Sequence, residues 1–121
     1  MRSWVIHEDA HILAFCKPSG LVSQGRPSAA PSLNDLLTAF ARSNGKRPEL
    51  AHRLDRDTSG VILAAKTRPA AGYLGKAIQA RRVKKTYLAL VERAPEPREG
   101  AIDAALLRVE VGRESHMRVV E

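Results

Sequence analysis

The chain has 121 residues, 44% of them hydrophobic, and a net charge of +7, with 20 Lys and Arg against 13 Asp and Glu. That length suits one domain at most; a lone Cys16 excludes an internal disulfide, and with four scattered histidines it offers no zinc spacing. His7, Glu8, Asp9 and His11 interrupt the N-terminal apolar residues, and no run approaches a membrane span, so the chain reads as soluble and cytoplasmic.

The first predicted element is a strand at Val5-Ile6, turning at Glu8-Asp9 into a second, buried strand over Ile12 to Phe15. Cys16 reads as a small buried packing residue, and Lys17-Pro18-Ser19-Gly20 as the turn that ends the strand. Gly20 to Pro31, rich in Gly, Pro and Ser, is a predicted loop. Ser32 is placed to cap a helix, with Asp35 favouring its N-terminus. Leu33, Leu36, Leu37 and Phe40 fall on one face of that helix, and Ser43-Asn44-Gly45 ends it. Lys46-Arg47-Pro48 reads as an exposed basic loop.

Val61 to Ala65 is a further predicted strand. Thr67 caps the next helix, with Pro69 in its first turn and Ala71, Leu74 and Ile78 as its apolar face. Arg81-Arg82 sits at the helix end, where cations suit the dipole. Thr86 to Val91 alternates as a strand, Pro95 to Gly100 is a loop, and Ile102 to Leu107 and Met117 to Val120 are two more strands. The order β, α, β, α, β, β predicts a mixed α/β domain of α+β type, a largely antiparallel sheet flanked by helices. The last strand runs to the final residue with no polar tail, which reads as a fragment of a larger domain.

The stretch Ala51 to Thr67, AHRLDRDTSGVILAAKT, carries the densest chemistry. Asp55 lies between Arg53 and Arg56, and an adjacent cation favours an ionised carboxylate. Such a group can act as nucleophile, general base or electrostatic stabiliser. Arginine left over can bind phosphate through its planar fork. Thr58-Ser59-Gly60 adds two hydroxyls and a backbone open to close approach. Spacing alone leaves a second reading open: an exposed ion-pair cluster that tightens a loop, worth roughly 0–1 kcal/mol per pair.

The ordered run His52-Arg53-Leu54-Asp55-Arg56-Asp57-Thr58-Ser59-Gly60, followed by an apolar strand, resembles the signature of the RluA-type RNA pseudouridine synthases. Three further segments resemble that family in the right order: Asp9 to Leu21 with its Lys17-Pro18-Ser19-Gly20, Lys84 to Val91 (KKTYLALV), and Gly100 to Leu106, where Ala105 replaces the usual proline. The resemblance covers almost the whole chain and implies the N-terminal half of that family's catalytic-domain fold.

It implies isomerisation of selected uridines in ribosomal or transfer RNA to pseudouridine, without cofactor or metal, by a monomer. Asp55 would be the essential aspartate. Arg53 would fill the space left by the flipped nucleotide or contact its phosphate, and Tyr87 would pack on the target base. His52, Leu54, Arg56, Thr58, Ser59, Gly60, Lys17 and Lys85 would form the RNA-binding surround. Lys17 would either orient the site or mark an exposed strand end, and His52 would be a hydrogen-bonding support. Lys46-Arg47, Arg81-Arg82 and Lys84-Lys85 would add phosphate contacts. The family's later motif, with a second active-site arginine, is not found; Gly112 to Val119 is similar only superficially. With only a few residues ahead of the first motif, the chain reads as one without the S4-type RNA-binding domain of some members. A non-catalytic basic RNA-binding module and a non-functional fragment are the alternatives.

Overall fold

A computed structural model of the protein describes residues 1–25 and 30–120. It divides into two units, Met1–Lys85 and Thr86–Glu121. In the first, a 3-10 turn (Arg2–Trp4) leads into β1 (Val5–Glu8) and β2 (Ile12–Lys17). Then come α1 (Leu33–Leu36), a 3-10 turn (Leu37–Phe40), β3 (Glu49–Leu50), β4 (Gly60–Ala65) and α2 (Arg68–Gln79). Four antiparallel strands are ordered β1-β2-β4-β3.

The β1–β2 turn forms because the Asp9 carboxylate accepts the amides of His11 and Ile12 at 2.7 and 2.8 Å. This side chain-to-backbone closure is what makes Asp a turn residue. In β2 the side chains alternate across the sheet. Leu13 and Phe15 face a core with Leu33, Leu37, Leu54, Ile62 and Ala64. Each large aliphatic or aromatic side chain so buried contributes about 1.5–3 kcal/mol. α2 packs on β4, and its buried Leu74 and Ala77 lie outside that cluster, so it covers the opposite face.

The same alternation overturns two expectations. Lys17 is in phase with Leu13 and Phe15 and is fully buried, not an exposed strand end. Cys16 is out of phase and exposed, paired with Val61, itself 56% exposed, on the part of the sheet that α2 leaves open.

The capping box at α1 is complete. The Ser32 hydroxyl accepts from the Asp35 amide, and the Asp35 carboxylate accepts from the Ser32 amide. The single helix expected through Phe40 nevertheless tightens into a 3-10 turn at Leu37. Arg47 Nη1 donates at 2.8 Å to the Asn34 carbonyl, which a continued α-helix would give to the Thr38 amide. Pro48, expected in an exposed loop, is buried. β3 was not expected; two residues after a proline carry no periodicity to read. The loop over Gly20 to Pro31 has no helix or strand in its described part; positions 26–29 lie outside the described residues.

α2 begins as its sequence predicts, with the Thr67 hydroxyl accepting from the Ala70 amide and proline in the first turn. It ends in a Schellman motif. Arg81 takes φ 54°, its amide donates to the Ile78 carbonyl, and the Arg82 amide donates to Ala77.

The second unit contains a hairpin of β5 (Ala105–Val111) and β6 (Glu114–Val120), in register from Ala105↔Val120 to Val111↔Glu114. Its turn uses Gly112 at φ 63°. The strand expected over Thr86 to Val91 is not formed. Its alternation is present, but a strand needs a hydrogen-bonded neighbour, and none pairs with it among the described residues. The strand expected from Ile102 starts at Ala105 instead.

Candidate active site

The residues from His52 to Ser59 form the turn-rich loop between β3 and β4. Hydrogen bonds from three directions hold its backbone. At its start the Ala51 amide donates to the Leu63 carbonyl at 2.8 Å, extending the β3–β4 pairing by one residue. His52 then substitutes its ring for the backbone: Nε2 accepts the Leu63 amide at 3.1 Å. Burial, reinforced by the positive charge of Lys85, pushes the His52 pKa down. The ring is therefore neutral near pH 7, with its proton on Nδ1.

Leu54 turns its side chain into the core, while Arg53 and Asp55 on either side are exposed. The Ser23 hydroxyl, 1% exposed, donates to the Leu54 carbonyl at 2.6 Å and lies 3.1 Å from the Leu54 amide, which donates to it. Farther along, the Arg56 carbonyl accepts from the Gly20 amide at 2.7 Å and from Lys17 Nζ at 3.1 Å. The Ser19 hydroxyl donates to the Asp57 carbonyl at 2.8 Å, and the Thr58 amide closes a turn on the Asp55 carbonyl at 3.1 Å.

Lys17 spends its other two protons on the carbonyls of Pro18 at 2.9 Å and Leu21 at 2.7 Å. A buried ammonium is tolerated only when its donors are matched, and here three carbonyls match three N–H groups. Burial pushes its pKa down, while the carboxylates of Asp57 and Asp55 oppose that shift.

The charge arrangement differs from the sequence expectation. Arg56 does not serve Asp55: its Nε and Nη2 form a fork on Asp57, at 3.1 and 3.2 Å. That fork holds the Asp57 carboxyl below its usual range. Among the described residues no hydrogen bond or ion pair engages the carboxylate of Asp55 or the guanidinium of Arg53. The loop thus presents one carboxylate and one arginine outward on a backbone that is tied down. That is the arrangement needed for a carboxylate to act on a bound ligand while a cation holds an anionic part of it.

The structure brings together His52, Arg53, Leu54, Asp55, Arg56, Thr58 and Ser59 on the β3–β4 loop, Gly60 at the start of β4 and Lys17 at the end of β2. Two of them are corrected as ligand contacts. Lys17 has its protons committed to backbone, and Leu54 points into the core. Lys85 closes the first unit; Tyr87, 61% exposed, belongs to the second. Ser23 was missed. The one signal for it is the apolar pair Leu21-Val22 inside a polar loop, which marks a dip toward the core and makes the next polar side chain one that must find buried partners. Among the described residues no cluster of His, Cys, Asp and Glu could hold a metal ion, and no helix is long and apolar enough to cross a membrane.

Residues 11–120 match the family described as RNA pseudouridylate synthase. The chain is 36% identical over 124 residues to the mitochondrial pseudouridylate synthase RPUSD4 of Xenopus tropicalis, covering 98% of this chain and 38% of that protein. It is 38% identical over 104 residues to the ribosomal large subunit pseudouridine synthase C of Escherichia coli K12, covering 86% and 32% respectively. Its fold is similar to that of human RNA pseudouridylate synthase domain containing 4, with a TM-score of 0.78, 22% identity, and coverage of 98% of this chain and 51% of that one. The chain spans about a third to a half of the length of the relatives it matches.

Proposed function

Because this chain belongs to the RNA pseudouridylate synthase family, we propose that it carries the aspartate-bearing part of an enzyme that converts uridines in ribosomal or transfer RNA to pseudouridine, with Asp55 as the essential carboxylate. The observation that supports this most is the outward carboxylate of Asp55, free of protein partners among the described residues, on a loop whose backbone is fixed on both sides. The net reaction breaks the bond between uracil N1 and ribose C1′, turns the base, joins C5 to C1′, releases the C5 hydrogen as a proton and places a proton on N1, so that the product is an isomer of the substrate. No electrons enter or leave, so no redox cofactor is required.

A uridine in folded RNA has to leave its stack first, at a cost of a few kcal/mol. Arg53, exposed beside Asp55, would fill the vacated space or hold the phosphate. Thr58, Ser59 and Gly60 would line the approach, and Tyr87 would pack on the turned base. Lys46, Arg47, Arg81, Arg82, Lys84 and Lys85 would add backbone contacts, which weaken steeply with salt. The setting is proposed as cytoplasmic and the acting form as a monomer.

The test is release of tritium from RNA labelled at uridine C5, with pseudouridine then mapped. Release that is lost in Asp55→Asn, with RNA affinity unchanged, supports the reading. Undiminished release by Asp55→Asn overturns the role of Asp55. Salt-sensitive RNA binding with no tritium release from either protein would instead identify a non-catalytic binding module.

A further inference from the structure

We propose that Ser23 is a positioning residue for Asp55; this rests on the reading of Asp55 given above. The direction of the Asp55 side chain is set by the two peptide planes that flank its α-carbon. The plane on its C-terminal side is fixed within the loop, by the Thr58 amide on the Asp55 carbonyl at 3.1 Å. The plane on its N-terminal side contains the Leu54 carbonyl, and the Ser23 hydroxyl holds that carbonyl at 2.6 Å. The same hydroxyl accepts the Leu54 amide at 3.1 Å and so fixes the next peptide plane back as well. One buried oxygen thus sets two successive peptide planes immediately before Asp55.

Ser23 is itself held from the other side. Its carbonyl accepts the Asn34 amide at 2.9 Å, and the Val22 carbonyl accepts the Leu33 amide at 2.8 Å. Both donors belong to the first turn of α1, whose own start is secured by the Ser32–Asp35 capping box. A mechanical path therefore runs from α1 through Ser23 to Leu54, 31 residues later in sequence, and on to the adjacent Asp55. Lys17, through the Arg56 carbonyl, holds the loop one residue beyond Asp55. The Leu54 side chain, packed in the core, keeps the phase of the loop so that Asp55 faces out.

A hydroxyl that only satisfied a buried backbone would affect stability and leave the chemistry alone. A positioning hydroxyl affects the chemical step, because a displacement of about 1 Å of a reacting group costs on the order of a hundredfold in rate. Ser23→Ala is tested in the intact chain with two readouts: the single-turnover rate of tritium release against the RNA dissociation constant, and amide hydrogen exchange. The expected result is a rate reduced by about tenfold or more with affinity changed by less than about twofold. Exchange at the Leu54 and Thr58 amides should rise while β2 and β4 keep their protection.

A folded Ser23→Ala whose rate stays within about twofold of the parent overturns the proposal, whatever its loss of stability. Unchanged exchange at Leu54 and Thr58 also overturns it. If the parent chain itself releases no tritium, what has failed is activity of this chain by itself, and exchange alone then decides whether Ser23 holds the loop. Should Ser23→Ala not fold, Ser23→Cys, a weaker donor of similar shape, decides by the same readouts and is expected to fall between parent and Ala.

Discussion

The ammonium of Lys17 donates at 3.1 Å to the backbone carbonyl of Arg56, 39 residues later in the chain. With its bonds to Pro18 and Leu21, this contact ties the turn after β2 to the loop that carries Asp55. Lys17→Met keeps the aliphatic stem but takes the ammonium donor from the carbonyls of Pro18 and Leu21 and leaves the Arg56 carbonyl with the Gly20 amide alone. It is expected to destabilise the first unit by about 1–3 kcal/mol, read as a lower urea midpoint.

His52 makes stability depend on pH. Its folded pKa is lowered by burial and by Lys85 from an ordinary value of 6.5, so the unfolded chain binds a proton at a pH where the folded chain does not. Unfolding then takes up a proton, and stability falls as pH falls. The contribution is fully present above 6.5 and is lost as pH drops through the lowered folded value. Protonation also places a hydrogen on Nε2, which breaks the bond from the Leu63 amide. His52→Gln, which keeps an acceptor but does not titrate, is expected to flatten the urea midpoint between about pH 7 and pH 5. Asp9, Asp35 and Asp57, also held below their ordinary 3.8, act only at lower pH, where both proteins should lose stability alike.

Arg81 occupies the left-handed cap of α2 at φ 54°. A side chain there costs roughly 1 kcal/mol, which glycine avoids at some cost in unfolded-state entropy. Arg81→Gly is expected to raise stability by up to about 1 kcal/mol, measurable as a higher melting temperature. If Arg81 also contacts RNA phosphate, the same variant binds RNA more weakly at low salt.

Phe15 is fully buried and meets Phe40 edge-to-face, with ring centroids 5.5 Å apart at 75°. Arg2 stands over the Phe40 ring at 5.4 Å. Phe15→Ala removes the largest side chain of the core and is expected to cost about 3–5 kcal/mol. Loss of the cooperative urea transition would be the observed outcome, since the whole stability of a small domain is of similar size.

Local signals in the sequence were enough for the strands at Val5, Ile12 and Val61, both helix starts and the existence of two C-terminal strands, though not their bounds or their pairing. Each rests on interactions spanning a few residues: alternation, a capping hydroxyl, a carboxylate in a turn. The candidate loop was legible for the same reason, as a contiguous run with Asp55 at its centre. The alternation of Thr86 to Val91 was equally clear, yet a strand is a property of two chain segments, and no partner strand is supplied among the described residues.

Sequence by itself also determined the charge, the apolar faces and the family signature, because these depend on residue order alone. Tertiary structure decided which face of each strand is covered, and so buried Lys17 and exposed Cys16. It decided that Arg56 pairs with Asp57, which leaves Asp55 facing outward. It also decided that a serine in an unremarkable loop holds the peptide before that aspartate. The contacts of Ser23 with Leu54 and of Lys17 with Arg56 join residues 31 and 39 positions apart, where no period or motif relates the partners and only the packed core brings them within hydrogen-bond reach.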